Sequence, residues 1–342
     1  MAITSLEELE NHIKLTECEK RWKECEENTL PVLISDNIMS LIDNPAIRRQ
    51  FVPCDKELVD SIGNLDPLEE VNHSVSSRLI HRYTNRAAFL TTDRCFAYCR
   101  HCFRRRFTGT MTGPASKEDI ISAAEYLKEH MEIKEVLLTG GDLMTLSDES
   151  LDFLLSTFKA ARKDIIYRLC TRALFSNPDR FTDDFFKVLE KNNHDAPFFL
   201  MTQFNHASEI NEKAIEAIKG FVKLGIPMMN QCVLLRGVND DIDSQVELCN
   251  KLMMNRIKPY YLFQGDLVKG TAHLRVPLSK GLELEKQMRK ELSGLSMPQY
   301  TIDLPNGGGK VILTEQHLVK RDGNNWIFTT LDGCERRYPE DI

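Results

Sequence analysis

The sequence predicts an α/β protein built around an open, partial barrel, with an N-terminal helical cap and a short β-rich C-terminal tail. Two observations carry that expectation. From about Arg86 onward, short apolar runs alternate with amphipathic segments of helical period, which is the pattern of repeated βα units around a parallel sheet. About six such units can be counted, fewer than the eight that close a complete barrel, so the sheet is expected to stay open.

Taken in order, residues 1–80 form the cap. A capping box over Ser5 and Glu8 starts a helix that carries Leu6, Leu9 and Ile13 on one face, and a charged stretch follows through Glu27. This segment is expected to lie peripherally. Residues 81–297 form the barrel core, with strands expected at 87–91, 135–138, 165–170, 197–202, 228–235 and 259–263. The helix over 117–129 begins at Ser116 and aligns Ile120, Ala124 and Leu127; that over 212–223 aligns Ala214, Ile215, Ile218, Phe221 and Val222. Residues 298–342 hold a later strand at 299–303, a glycine-rich loop ending in Lys310 and the β-rich tail.

Bulk properties exclude more than they identify. The formal net charge of the 342 residues is -7, so no global attraction draws the chain to nucleic acid or an anionic membrane. No apolar run approaches the roughly 18 residues of a bilayer span, and the N-terminus has no signal-peptide pattern. Ten cysteines without a disulfide framework fit a reducing compartment, so a cytoplasmic location is expected.

The run CFAYCRHC over residues 95–102 is the strongest chemical signal. It offers Cys95, Cys99 and Cys102, three thiolates in C-x3-C-x2-C spacing. A four-iron four-sulfur cluster normally takes one thiolate per iron, so three leave one iron open, and S-adenosylmethionine is the expected occupant. Structural zinc is the competing reading. It fits worse, because Cys18, Cys25, Cys54, Cys170, Cys232, Cys249 and Cys334 are scattered singly without a second C-x2-C pair.

Position along the barrel adds further candidates, since ligands gather at the carboxyl ends of parallel strands. The cysteine loop, Gly140-Gly141-Asp142 and Asp266 all follow expected strands and should open onto one face. Gly140 and Gly141 let the backbone approach a ligand closely, such as the methionyl amino group; the plain alternative is a tight βα turn. The segment DLPNGGGK over 303–310 is an open glycine loop that ends in an amine. It is not a nucleotide P-loop, because Leu304 stands where the first glycine should be and Val311 where Ser or Thr should bind magnesium. A mobile Schiff-base lysine and a plain surface loop both remain open here. Arg82, Arg86, Arg104, Arg105 and Arg106 flank the cysteines and suit phosphate or carboxylate, unless they form a solvated face. Asp266 and Asp303 sit at strand ends, where they suit a distal cationic group or a simple cap.

Together these residues resemble the lysine 2,3-aminomutase family of radical S-adenosylmethionine, pyridoxal-phosphate enzymes. The resemblance runs from about 66 to 339 through His81-Arg82-Tyr83, residues 95–107, LTGGD at 138–142, FNH at 204–206, Asn230-Gln231, LLRGVN at 234–239, PYY at 259–261, PLSKG at 277–281 and 303–310. It implies Cys95, Cys99 and Cys102 as ligands of a 4Fe-4S cluster and Lys310 as the lysine that binds pyridoxal 5'-phosphate. It places Arg82, Tyr83, Arg86 and His101 near that cofactor, Gly140, Gly141 and Gln231 against S-adenosylmethionine, Arg104 on the substrate carboxylate, and Asp266 with Asp303 on the distal amine of lysine. The implied reaction moves the α-amino group of L-lysine to its β-carbon, with a flavodoxin or ferredoxin as electron donor and a homo-oligomer as the assembly.

Arginine is the nearest rival substrate, because two carboxylates also accept a guanidinium. A radical enzyme that modifies RNA or protein without pyridoxal phosphate, and a non-catalytic metal module, are the rivals of other classes. Two departures from the family stand out: the chain ends at Ile342, without the cysteine-bearing extension some relatives use for intersubunit zinc, and Leu304 and Asn306 replace smaller residues in the glycine loop.

Overall fold

The apolar runs of the sequence pair into one sheet. In a computed structural model, residues 2–22, 30–110, 112–194, 197–305, 308–314, 318–323, 325–330 and 333–339 are described. Strand β1 (Leu79–Tyr83) forms an antiparallel hairpin with β2 (Arg86–Thr92). Parallel to β2 follow β3 (Glu135–Gly140), β4 (Ile166–Thr171), β5 (Phe198–Thr202), β6 (Met228–Leu234), β7 (Ile257–Gln264) and β8 (Gln299–Leu304). Strand β9 (Gly309–Ile312) ends the row antiparallel to β8. Spatial order equals chain order, so each crossover advances the sheet the same way, as in a barrel. Among the described residues β1 and β9 are not paired, and the barrel stays open as expected. The parallel row is longer than expected, because the run at 299–304 joins β7 in parallel. Beyond it, β10 (Leu318–Asp322), β11 (Asn325–Thr329) and β12 (Glu335–Pro339) form a separate antiparallel sheet.

Helices α1 (Leu6–Glu10), α2 (Glu17–Lys20), α3 (Asp36–Met39) and α4 (Pro45–Phe51) precede the sheet; α5 (Lys117–Glu129), α6 (Asp148–Ala161), α7 (Ala173–Ser176), α8 (Asp183–Asn192), α9 (Glu212–Lys223), α10 (Ile242–Met254) and α11 (Leu278–Glu291) lie between strands. The capping box expected at Ser116 closes with Asp119, and α5 buries Ile120, Ala123, Ala124 and Leu127. At Ser5 the box is displaced. Ser5 Oγ accepts from the Glu8 backbone N–H, but the Glu8 carboxylate accepts from Thr4 N–H instead.

The N-terminal segment is not peripheral. Leu9, Trp22, Ile34, Ile38 and Phe51 are buried in the same core as Phe89, Leu138 and Leu169 of the strands. Its backbone also carries the cysteine loop: Tyr98 N–H donates to Leu33 O at 2.9 Å and Arg100 N–H to Gln50 O at 2.8 Å. The Arg100 side chain, fully buried, donates to both oxygens of Glu57 (2.8 and 2.6 Å) and to the carbonyls of Leu30 and Pro31. Arg105 adds a third bond to Glu57 at 3.0 Å. Burial alone would raise the Glu57 carboxyl, but the two guanidinium groups outweigh it and hold the group below its ordinary range.

Removing one partner of a buried ion pair leaves the other charge uncompensated, at a cost of about 3–5 kcal/mol. Glu57→Gln should therefore lower the free energy of unfolding by an amount in that range, with a lower denaturation midpoint. Because the folded-state pKa of Glu57 is depressed, its contribution is complete above the unfolded carboxylate value of about 4.3 and is lost as pH falls through the folded value. The gap between wild type and variant should narrow in acid; equal midpoints at neutral pH would refute this role.

Candidate active site

The loop after β2 holds Cys95, Cys99 and Cys102, each partly buried. Asp93 fixes its shape. Its carboxylate accepts from the backbone N–H groups of Thr112 and Gly113, both at 2.9 Å, and its carbonyl accepts from Gly109 N–H at 2.9 Å. Burial pushes the Cys95 and Cys99 thiols up; the charge of Asp142 adds to the rise at Cys95, while Arg172 opposes it at Cys99. Among the described residues, the triads of ligand atoms that gather within 4.8 Å of one another lie elsewhere, so at least one pair of loop sulfurs is farther apart than that. A tetrahedral zinc would hold its sulfurs about 3.8 Å apart. The wider span suits a multi-iron cluster, whose binding replaces the thiol protons.

Behind the loop lies a buried polar network. Arg172 directly follows β4 and donates from Nη1 to Cys99 Sγ at 2.7 Å; its Nη2 donates to Gln50 Oε1 at 2.7 Å and to both Glu209 oxygens at 3.2 Å. His101 Nε2 faces the side-chain amide nitrogens of Gln203 (3.1 Å) and Asn205 (3.3 Å). Both are donors, so Nε2 accepts and the ring proton sits on Nδ1. That Nδ1 is buried without a partner among the described residues. Burial and the neighbouring Arg172 charge keep the ring neutral, with its pKa well below the ordinary value.

Gly140 and Gly141 have a steric reason internal to the chain. A Cβ at Gly140, where φ is +121°, would come 2.5 Å from Thr92 O, and one at Gly141 would come 2.1 Å from Arg94 O. The close approach that glycine permits is therefore to the cysteine loop itself, with Gly141 N–H donating to Thr92 O at 2.6 Å. Next to them, Asp142 accepts from Thr171 Oγ1 and Arg172 N–H at 2.7 and 2.8 Å, tying β3 to β4.

A second group of residues gathers around Lys310. Asp303 and Lys310 are cross-strand partners on β8 and β9, and Nζ donates to Asp303 Oδ2 at 2.6 Å. The same nitrogen lies 4.0 Å from the Phe263 ring centroid and 5.0 Å from that of Tyr261. Burial lowers the Lys310 pKa against the opposing pull of Asp303 and Asp266, which eases loss of the proton when the amine acts as a nucleophile. Asp266, just past β7, is pushed up to about 7 by burial and then by the charge of Asp303. His101 and Asp266 line one cavity with Val233. Gln231 precedes Val233 by two residues on β6 and so shares its strand face.

Arg82, Tyr83 and Arg86 come from the opposite end of β2 to the cysteine loop, so the expected single face is incomplete. Their hairpin approaches β9 across the open seam: a Cβ at Gly309 would lie 3.9 Å from Tyr83 Oη. The Arg86 guanidinium sits 3.9 Å over the Tyr83 ring. Arg82 Nη2 and Tyr83 Oη are buried without partners among the described residues, a donor set that fits an anion such as phosphate.

Other expectations need revision. Lys310 lies in a strand in fixed register rather than in a mobile loop; Asn306 and Gly307 of that loop fall outside the described residues, as does Cys25. The three consecutive arginines are neither a solvated face nor free anion clamps. Arg104 pairs with Glu70 at 2.8 Å and donates to Thr139 Oγ1 at 2.8 Å; Arg105 pairs with Glu57, and Arg106 with Glu70 and Asp66. Sequence reading missed Arg172, although it lies two residues past the expected strand at 165–170, where the strand-end rule would have found it. Gln50, Glu57, Glu70 and Glu209 gave no such signal.

Residues 89–248 match the Radical SAM superfamily. The chain is 36% identical to the L-lysine 2,3-aminomutase of Clostridium subterminale, with 99% of this chain and 82% of the relative covered. It is 35% identical to that of Bacillus subtilis (strain 168), covering 99% of this chain and 72% of the relative. A glutamate 2,3-aminomutase from Clostridioides difficile (strain 630) is 36% identical, with 97% and 79% covered. With near-complete alignment to aminomutases laid over a three-thiol loop at the end of a parallel strand, the chain belongs to the lysine 2,3-aminomutase family of radical S-adenosylmethionine isomerases.

Proposed function

We propose that this enzyme is an L-lysine 2,3-aminomutase, which moves the α-amino group of L-lysine to the β-carbon. The observation that carries the reading is the pair Asp266 and Asp303 beside Lys310. Two partly buried carboxylates close to one another favour a cation near them, and Lys310 supplies it through its bond to Asp303. When Lys310 is engaged with pyridoxal 5'-phosphate, the distal ammonium of lysine takes over that role. A glutamate substrate would instead bring a third carboxylate.

In this reading Cys95, Cys99 and Cys102 hold a 4Fe-4S cluster, Gly140, Gly141 and Gln231 contact S-adenosylmethionine, and Arg82, Tyr83, Arg86 and His101 surround pyridoxal 5'-phosphate. When bound, these groups supply hydrogen abstraction at the β-carbon and a carrier for the migrating nitrogen. The chain supplies position. Arg104 keeps its pair with Glu70 and exchanges its bond to Thr139 Oγ1 for the substrate carboxylate, while Asp266 and Asp303 hold the far end, so the β-carbon is fixed between two anchored charges. Neutral His101 offers a donor at Nδ1 without adding charge. Electrons come from a small external donor such as flavodoxin or ferredoxin.

Anaerobic incubation of the cofactor-loaded enzyme with L-lysine, L-arginine or L-glutamate, followed by amino-acid analysis, tests the proposal. β-Lysine should be the main product; a β-arginine or β-glutamate product with lysine left intact would overturn it. A hydrogen bond to a charged group is worth about 1.5–3 kcal/mol, so Asp266→Ala or Asp303→Ala should each lower lysine turnover by roughly tenfold or more without loss of iron.

Asp266 titrates near 7 and binds an ammonium only when ionised. The KM for lysine should therefore rise as pH falls through about 7 and level off above it; a flat profile in this range would remove Asp266 from the site. Borohydride reduction should fix pyridoxal 5'-phosphate on the peptide that contains Lys310. Label on Lys280 instead would displace Lys310 from its role.

A further inference from the structure

Two of the cysteines that look isolated in sequence meet in space. Cys18 in α2 and Cys54, which caps the 3-10 turn Asp55–Leu58, bring their sulfurs together with an Asp55 carboxylate oxygen so that all three ligand atoms lie within 4.8 Å of one another. Cys18 Sγ donates to Asp55 Oδ1 at 2.8 Å, and Arg21 Nε donates to Asp55 Oδ2 at 2.6 Å. The second sulfur is what makes this more than a hydrogen-bonded thiol.

We propose that Cys18, Cys54 and Asp55 form a mononuclear zinc site distinct from the cysteine loop, with its fourth position open to water. The dimensions agree: tetrahedral zinc bonds of about 2.3 Å to sulfur and 2.0–2.2 Å to carboxylate oxygen set ligand separations of roughly 3.5–3.8 Å. These fit within the 4.8 Å envelope. The ion replaces the two thiol protons, which are released to solvent, so the set becomes two thiolates, one carboxylate and one divalent cation. Its net charge of about -1 is balanced by Arg21, whose bond to the outer carboxylate oxygen leaves the inner oxygen free to bind metal. An entry path exists, because the Asp55 side chain is 24% exposed.

The site would work as a clip. Cys18 and Asp55 are 37 residues apart, and the turn they would pin carries Glu57, the carboxylate that anchors Arg100 and Arg105 of the cysteine loop. Zinc that binds only the folded chain stabilises it by mass action, and here the stabilised segment is the one that backs the loop.

The test uses anaerobic protein with its iron cluster loaded, equilibrated with Zn2+ and desalted. About one zinc per chain should remain beside the cluster iron. Cys18→Ser/Cys54→Ser should lose that zinc and keep its iron, while Cys334→Ser keeps both. Asp55→Asn, which preserves shape, should weaken zinc binding roughly tenfold or more and guards against the double variant failing to fold. Wild-type protein without stoichiometric zinc, equal zinc in the double variant, unchanged affinity in Asp55→Asn, or a Cys18–Cys54 disulfide in protein kept anaerobic would each overturn the assignment.

Discussion

Buried guanidinium–carboxylate pairs behind the cysteine loop are the constraint on which the rest of the site depends. Arg100 and Arg105 converge on Glu57, and Arg172 converges on Glu209, with Arg100 and both carboxylates almost completely shielded from water. Such pairs add little net stability over a well-packed apolar alternative, yet breaking one is costly. Their effect is to admit only one register of loop against scaffold. Tyr98 and Arg100 hang from the N-terminal backbone, while Arg172 holds Cys99 from β4. A loop of thiols thus becomes a rigid rim, and donors such as Arg172 at a sulfur are among the levers that set a cluster's potential.

The candidate-site residues fall into two electrostatic groups. Around the cysteines, burial disfavours charge: the Cys95 and Cys99 thiols are raised and His101 is held neutral. Around Lys310 charge persists, because Asp303 is paired with it directly and Asp266 lies within reach of both. Thiol-rich surroundings release protons when a metal binds, and carboxylate-rich ones favour a nearby cation. His101 from the cysteine loop and Asp266 from the end of β7 line one cavity, which joins the two groups. The sheet supplies this by winding in a single direction, which carries β8 and β9 round toward the β1–β2 hairpin until Gly309 faces Tyr83.

Much of this was legible in the chain. Strand and helix periods gave each parallel run before β8, and the capping box at Ser116 was found where its residues stand. The cysteine loop was legible because its three ligands are close in sequence and its chemistry is specific. The N-terminal segment misled because its helices are short and its charged residues look solvated, whereas Leu9, Ile34 and Ile38 reach the common core. The glycine pair was legible only in part. Glycine reports that something comes close, not what does, and here the neighbour is the Thr92–Arg94 backbone.

By itself the sequence determined what rests on local order: alternating apolar runs, cap residues, and the spacing of Cys95, Cys99 and Cys102. These follow from short-range periodicity and from ligand spacing that needs no distant partner. Only the tertiary structure decided which carboxylate neutralises which arginine, that Cys18 lies beside Cys54, that Lys310 faces Asp303 in strand register, and that Asp266 titrates near 7. Each of these is fixed by burial and by a partner far along the chain. Desolvation and Coulombic attraction act through space, and sequence separation does not record them.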